Sequence, residues 1–579
     1  MNTSAHALSA PGMALPAACR RWPWSALLLA LVMLWLVVVP FALMALSSVK
    51  PDGLVISEGY TLDHFRALAE DGQWGQIAWN TVCFVGGSVL LSVVLSLALA
   101  WLTERTDMPG RRLVRALLVL PMAMPPLLLA VAWILLASPR SGMLNQGITA
   151  VTGLPALFDI FTLPGMVFVQ TLSMVPAAYL ILMALVRRTN ADMEDAARLS
   201  GAGFWRILFR ITIPILSPGL IATALLLVIG GVATFDIPGA IGMPVGKFVV
   251  SSQVYAYVFQ SVTGLPLYGQ VGVVGSFIVL LTVPMVYVYQ RATADSGRFV
   301  TVTGKGRGHS RTALGRWRWG ALALVLGYFV LSTLLPLAVL LWVSLMPYQV
   351  GFSVEALSLL TLKNHAEVFG NPRIHQATVN TFLVSVLAAT LVVALSVWLA
   401  YVVVRMRPRG HGALNFASFL PMAMPGVVLG VSLTYVYQLV SPGFMLGSVW
   451  ILVIAFTTSY LTYGAQTMNS TLLQSSPVLE EAGQMCGAST VQVLRRVSLP
   501  LLMPAMIGVW IWVFSHGLRE LTMALMLQSE RNMTLAALLW GFWTMGNATG
   551  AAAVGIWLTV AMGILVLLWQ LVMDRDKEA

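Results

Sequence analysis

Charge is what this sequence has little of. Only 9% of its 579 residues are Asp, Glu, Lys or Arg, against about 25% in soluble globular chains, so the chain lacks the polar surface to cover itself in water. Cysteine is scarce too. Cys19, Cys83 and Cys486 stand far apart with no C-x-x-C pair, which excludes a disulfide framework and a thiolate metal site. The seven histidines show no ligand spacing. A phosphate-binding loop of the G-x-x-x-x-G-K-[ST] type is missing; the nearest stretch, GMPVGK at Gly242 to Lys247, is too short and lacks the hydroxyl residue. No catalytic residue, metal site or resident cofactor is therefore expected.

What is present is apolar. Hydrophobic residues make up 58% of the chain and the mean hydropathy is +0.84, which implies an all-α integral membrane protein. Crossing a bilayer takes ~20 mostly apolar residues. Such runs fall at roughly 24–46, 77–103, 114–137, 164–187, 217–240 and 268–290, and again at 320–346, 379–404, 413–439, 447–468, 502–525 and 550–573. That makes twelve helices, six on each side of a polar linker. The expected organisation is a tail (1–21), a first membrane domain (22–290), a basic linker (291–319), a second membrane domain (320–573) and a short tail (574–579). The uncharged run from Trp22 to Val49 exceeds the ~7–15 residues of a signal peptide's apolar region and reads as a retained first helix.

The net charge of +11 would suggest nucleic acid in a soluble protein. Here its placement matters more. With the N-terminus inside, 25 of the 33 Lys and Arg fall in cytoplasmic segments. The opposite loop 48–76 is net acidic, with Asp52, Glu58, Asp63, Glu70 and Asp71 against Lys50 and Arg66. This asymmetry obeys the positive-inside rule and puts both termini in the cytoplasm. No nucleic acid partner follows from it, and membrane lipid is the expected surrounding. The linker, with three glycines at 304, 306 and 308 and seven basic residues, reads as a flexible tether whose charges fix topology; contact with anionic lipid is the other reading.

The two halves repeat one another. Leu120 to Pro125, LPMAMP, recurs unchanged 300 positions on at Leu420 to Pro425, and Asn80-Thr81, Ser96 and Arg105 recur at the same offset as Asn380-Thr381, Ser396 and Arg405. An even number of spans per unit gives both halves one orientation, so a pseudo-two-fold along the membrane normal can relate them. A second match, at offset 286, lies between the fourth and fifth spans. Glu194 to Pro214, EDAARLSGAGFWRILFRITIP, aligns without a gap on Glu480 to Pro500, EEAGQMCGASTVQVLRRVSLP. In each copy an acidic pair opens a short amphipathic helix, with Asp195, Ala196 and Ala197 expected in its first turn. Gly201 and Gly487 permit a tight turn, and small residues leave a narrow face that another protein can approach.

The spacing acidic–Ala–Ala–x3–Gly–x9–Ile–x–x–Pro resembles the EAA loop of ABC importer permeases, the membrane subunits of binding-protein-dependent uptake systems. This chain reads Asp195, Ala196, Ala197, Gly201, Ile211 and Pro214, then Glu481, Ala482, Gly483, Gly487, Val497 and Pro500, with Glu194 and Glu480 in front. The resemblance covers nearly the whole chain and is similar to fused two-unit permeases for ferric iron, thiamine and aminoethylphosphonate. It implies two fused six-helix units in a bacterial inner membrane. It also implies two copies of a separate cytoplasmic ATPase gripping the loops, so that ATP is used by that partner, and cargo from a periplasmic binding protein. Ferric iron, an organophosphonate, thiamine or a polyamine is the expected substrate class.

Asp236, Arg519 and Glu520 stand late in the spans that follow the loops. Charges within a bilayer usually face a cavity or a partner, and the resemblance makes these residues candidates for the translocation pathway. At ~1.5 Å per residue, Asp236 stands about 28 Å from Ser217, which suggests an outer vestibule. Met122, Met124, Met422 and Met424 read as packing beside proline kinks rather than as a soft metal site. A competing resemblance is that of Glu104 to Arg112, ERTDMPGRR, to a loop of major-facilitator secondary transporters. Its counterpart Arg405 to Gly412 lacks the acidic residue, and few carboxylates are available for a proton relay.

Overall fold

The computed structural model describes residues 24–188, 192–261, 266–294, 312–441 and 443–575. The N-terminal tail, most of the basic linker and the last four residues lie outside that range. The first half contains α1 (Trp24–Ser47), α2 (Trp74–Arg105), α3 (Arg111–Ala123), α4 (Pro126–Ala137), α5 (Leu163–Arg188), α6 (Asp192–Leu199), α7 (Phe204–Ala233), α8 (Val250–Phe259) and α9 (Tyr268–Ala294). The second half repeats the order. It runs α10 (Trp317–Ser344), α11 (Pro372–Met406), α12 (His411–Ala423), α13 (Gly426–Val440), α14 (Val449–Gln474), α15 (Val478–Met485), α16 (Val491–Leu518), α17 (Leu535–Thr544) and α18 (Ala548–Arg575).

Among the described residues nine helices are long and apolar enough to cross a membrane, and two bent pairs, α3–α4 and α12–α13, bring the number to 11. The twelfth is α14, with 26 residues the same length as its counterpart α5. It is more polar because Thr457, Thr458, Thr462 and Asn469 are turned into the interior. The twelve-span, two-unit architecture is therefore the one the sequence implies.

The third span of each half is not one helix. It turns by 93° between α3 and α4 and by 110° between α12 and α13. Both turns fall in the LPMAMP repeat. A residue before proline is pushed out of the α region, and Met124 (φ −87°, ψ 123°) and Met424 (φ −99°, ψ 119°) are extended for that reason.

Polar repeats inside the spans pack backbone against backbone. Ser96 Oγ donates to the Val175 carbonyl at 3.1 Å, joining α2 to α5. In the second half α11 and α14 meet at Gly464, where a Cβ would lie 2.3 Å from Ser396 Oγ and 2.8 Å from Val392. Small residues at such crossings let helices approach in a membrane. The Asn-Thr repeat holds the segment that follows each fifth span. Asn80 Nδ2 donates to the Phe248 carbonyl at 3.1 Å, and Asn380 Nδ2 to those of Arg531 and Met533 at 3.0 Å each. Thr81 and Thr381 hydroxyls accept the Val250 and Leu535 N–H groups at 3.0 and 2.8 Å.

The halves interlock through their first spans. The end of α1 packs on α9 of its own half and on α13 of the other, while the end of α10 packs on α18 and on α4. The Tyr435 hydroxyl of α13 also donates to the Gly53 carbonyl just beyond α1.

Replacing Gly464 by Leu would force α11 and α14 apart. Overpacking of this kind costs about 1–3 kcal/mol, so the unfolding temperature in detergent should fall. Gly86→Leu, where a Cβ meets nothing within 4 Å, should leave it unchanged.

Candidate functional site: paired loops and a buried polar cluster

Each short loop helix ends in the same way. Gly201 has φ +80° and Gly487 φ +83°, and neither has an atom within 4 Å of a built Cβ. Glycine is needed there for the left-handed backbone alone. The Ala202 N–H reaches back to the Ala197 carbonyl at 2.9 Å, and Ala488 N–H to Gly483 at 3.1 Å, closing a Schellman-type cap. The starts match as well. α6 begins at Asp192 and α15 at Val478, 286 positions apart, so Asp195 holds the first-turn place that Glu481 holds in the second copy. Ala196 and Ala197 open the second turn, one step beyond the expected place.

Glu194 and Glu480 are buried, at 6% and 7% exposure. Their neighbours explain why. Thr212 Oγ1 donates to Glu194 Oε1 at 2.9 Å and Ser498 Oγ donates to Glu480 Oε1 at 2.9 Å. Each hydroxyl belongs to the root of the fifth span, α7 or α16. Arg405, at the end of α11, reaches Glu480 Oε2 at 3.1 Å and also donates to the Ser475 carbonyl and hydroxyl at 3.1 and 2.8 Å. One carboxylate thus straps α15 to both the second and the fifth span. Arg105 takes the matching place in the first half, buried and donating to the Val186 carbonyl at 3.1 Å. Arg405 and Glu480 were visible in the sequence as repeated letters; their contact was not, and Thr212 and Ser498 were missed.

The first half adds an ion cluster of its own. Glu104 accepts two bonds from Arg187 at 3.1 Å each and pairs with Arg115 at 2.8 Å. Val404, Asn415 and Leu473 stand at the equivalent second-half positions. The ERTDMPGRR stretch therefore contributes to a structural clamp.

The remaining loop residues form an outward surface. Ala196, Glu481 and Ala482 are exposed, Ala197 and Gly483 half-buried; the Asp195 side chain lies outside the described residues. Ile211 and Val497 are half-buried, and Pro214 and Pro500 are exposed at the roots of the fifth spans. Beside them are apolar residues the sequence reading passed over. Leu199 is 90% exposed and its equivalent Met485 89%, and Met193 and Leu479 also repeat as an exposed pair. The same apolar residues are thus left bare at equivalent points of the two loop helices. Their signal was present as an apolar residue kept at matching positions of the 286-residue repeat.

The charged candidates in the spans do come together. Both fifth spans stop short, α7 at Ala233 and α16 at Leu518, so Asp236, Arg519 and Glu520 lie just past the helix ends. Arg519 Nη1 crosses between the halves to the Met122 carbonyl at 2.8 Å, at the α3–α4 bend, and Nη2 meets His516 Nε2 at 2.8 Å. The Tyr460 hydroxyl donates to Glu520 Oε2 at 2.9 Å, and Met523 N–H donates to Oε1 at 3.2 Å. Asp236, from the first half, lies within electrostatic reach of Glu520, Arg519 and Tyr460. Tyr460 is near the middle of α14, so the cluster is level with the middle of that helix. Beside the cluster, Phe235 of the first half packs on Trp540 of the second with centroids 5.2 Å apart, and Trp540 Nε1 donates to Tyr255 at 3.3 Å.

A family profile described as "binding-protein-dependent transport system inner membrane component" matches residues 92–294 and again 392–578. The chain belongs to that family. It is a permease with two fused copies of the family's domain. It is 25% identical over 448 residues to a putative ferric transport system permease of Haemophilus influenzae, covering 76% of this chain and 68% of the relative. A ferric transport system permease of Actinobacillus pleuropneumoniae is 24% identical over 500 residues, 85% of this chain and 71% of that one. A spermidine/putrescine permease of Haemophilus influenzae is 28% identical over 214 residues, 37% of this chain and 82% of that one. The protein is thus a multi-span permease subunit of an ABC importer in the bacterial inner membrane.

In this permease, removing one partner of the Arg405–Glu480 pair leaves a buried charge without its counter-ion, which costs about 3–5 kcal/mol. Arg405→Ala should therefore free the α15 loop, read as faster proteolytic cleavage near Gly487. Arg405→Met combined with Glu480→Met should restore much of the wild-type resistance.

Proposed function

We propose that the permease is driven through α6 and α15 by two copies of a separate cytoplasmic ATPase subunit, with cargo delivered by a periplasmic binding protein. The observation that carries this reading is the exposure of the same apolar pair, Met193/Leu479 and Leu199/Met485, on two loop helices 286 positions apart. Two equivalent handles suit a two-fold motor. The exposed Glu481 and its equivalent Asp195 offer negative charge for basic groups of that motor, and the charge distribution along the chain puts both loops and both termini on the cytoplasmic side. ATP is then bound and hydrolysed by the partner, and this chain holds no cofactor of its own.

Asp236, Arg519 and Glu520 line the pathway in this reading, with Phe235, Tyr255 and Trp540 as an aromatic closure beside them. Two carboxylates against one guanidinium favour a cationic cargo over an organophosphonate. Ferric iron is the first assignment, because three relatives that align over most of the chain are ferric permeases. A polyamine is the second, supported by the spermidine/putrescine relative.

Replacing Asp195 and Glu481 together by Lys should release the ATPase from membranes and abolish uptake. An ATPase that stays bound and active would remove the coupling assignment. In the same assay Asp236→Asn with Glu520→Gln should keep the ATPase bound yet lower the uptake rate at least tenfold; unchanged transport kinetics would remove the pathway assignment.

A further inference from the structure

A cavity of about 900 Å³ lies between α2, α5 and α10, away from the polar cluster. Its walls are almost wholly apolar and include Leu95, Ala98, Val167, Phe168, Ala323 and Gly327. All three helices are membrane spans, and Leu91, Val94 and Leu324 at its rim are exposed, so it opens toward lipid.

The equivalent place in the other half is filled. There α1 buries Ala26, Leu29, Met33 and Val37 against Leu399, Val402, Leu461 and Ala465 of α11 and α14, with Trp398 packed on the same cluster. The register of the two first spans is set by Pro40 and Pro336, and by Val49 and Leu345 carbonyls that accept the Thr61 and Thr361 N–H groups at 2.8 Å each. In that register Leu27 and Leu31 of α1 correspond to Ala323 and Gly327 of α10. At the offset of the second spans, Trp398 corresponds to Ala98. Where α1 carries Leu27 and Leu31, both exposed beside the packed cluster, and α11 carries the half-buried Trp398, the other half has two methyls and a hydrogen. A void left by such exchanges loses packing on all its walls unless something enters it.

The cavity's shape and its mouth say what enters. Cys83 and Ala98 both line it; at ~1.5 Å per residue they stand about 22 Å apart along α2, more than one leaflet of a ~30 Å hydrocarbon core. Arg316 lies two helical turns before Ala323, on the same face of α10. Arg318 stacks 5.5 Å from the ring of Trp319, and both arginines are exposed. An apolar slot ending at two basic side chains and interfacial tryptophans fits a phospholipid better than an apolar protein helix.

We propose that this cavity is a lipid site: it takes one acyl chain of an anionic phospholipid whose phosphate sits at Arg316 and Arg318. The site stands apart from the cargo and motor assignments and does not depend on them. The test is native mass spectrometry of the full-length permease after exchange into phosphatidylglycerol vesicles and extraction in mild detergent. The wild type should retain one phosphatidylglycerol. Ala98→Trp with Gly327→Leu, which copies the filled half, should reduce that occupancy at least tenfold, whereas Leu90→Trp on the exposed face outside the cavity should not. Arg316→Gln with Arg318→Gln should erase the preference for phosphatidylglycerol over phosphatidylethanolamine. Equal retention by the filled variant, or a second polypeptide held in the slot, would overturn the proposal. Should the filled variant fail to fold, brominated-acyl phosphatidylglycerol bound to the wild type decides it: bromine density within the cavity supports the site, and density only elsewhere refutes it.

Discussion

A single buried carboxylate organises the inner end of each half. In the second half Glu480 accepts Ser498 at 2.9 Å and Arg405 at 3.1 Å, and so makes one rigid piece of the loop helix, the root of the fifth span and the end of the second. A carboxylate this buried is stable only with its partners in place. The loop helix therefore cannot shift without carrying two spans with it. The fifth span leads directly to the polar cluster at its far end, where Arg519 holds the Met122 carbonyl of the opposite half at 2.8 Å. The second-half loop and the contact between the halves are in this way joined by one helix.

Duplication supplied two copies of this device, and the copies have diverged where symmetry is not needed. The first half surrounds Glu104 with Arg115 and Arg187, while the second has the uncharged Val404, Asn415 and Leu473 at those places. The second half carries Tyr460, His516, Arg519 and Glu520 of the buried polar cluster, and the first contributes Asp236. A fused chain permits this division of labour, because each half always meets the same partner.

Much of the architecture was legible because its causes are local. Span length follows from apolar runs, and the sharp turns at Met124 and Met424 follow from the prolines beside them. The Gly201 and Gly487 turns were legible for the same reason. What escaped was the long-range part. Arg405 and Glu480 are 75 residues apart, and nothing in one sequence states that repeated letters touch one another. Leu199 and Met485 escaped because hydropathy assigns apolar residues to the interior, whereas the loop helices leave these two bare.

The central claim is that energy enters from outside the chain, through the two loops. Uptake into proteoliposomes, with cargo-loaded binding protein present, tests it most directly. The chain together with its ATPase subunit should accumulate cargo only when ATP is supplied, and should remain inactive under any imposed ion gradient alone. Gradient-driven uptake by the chain without the ATPase would contradict the account.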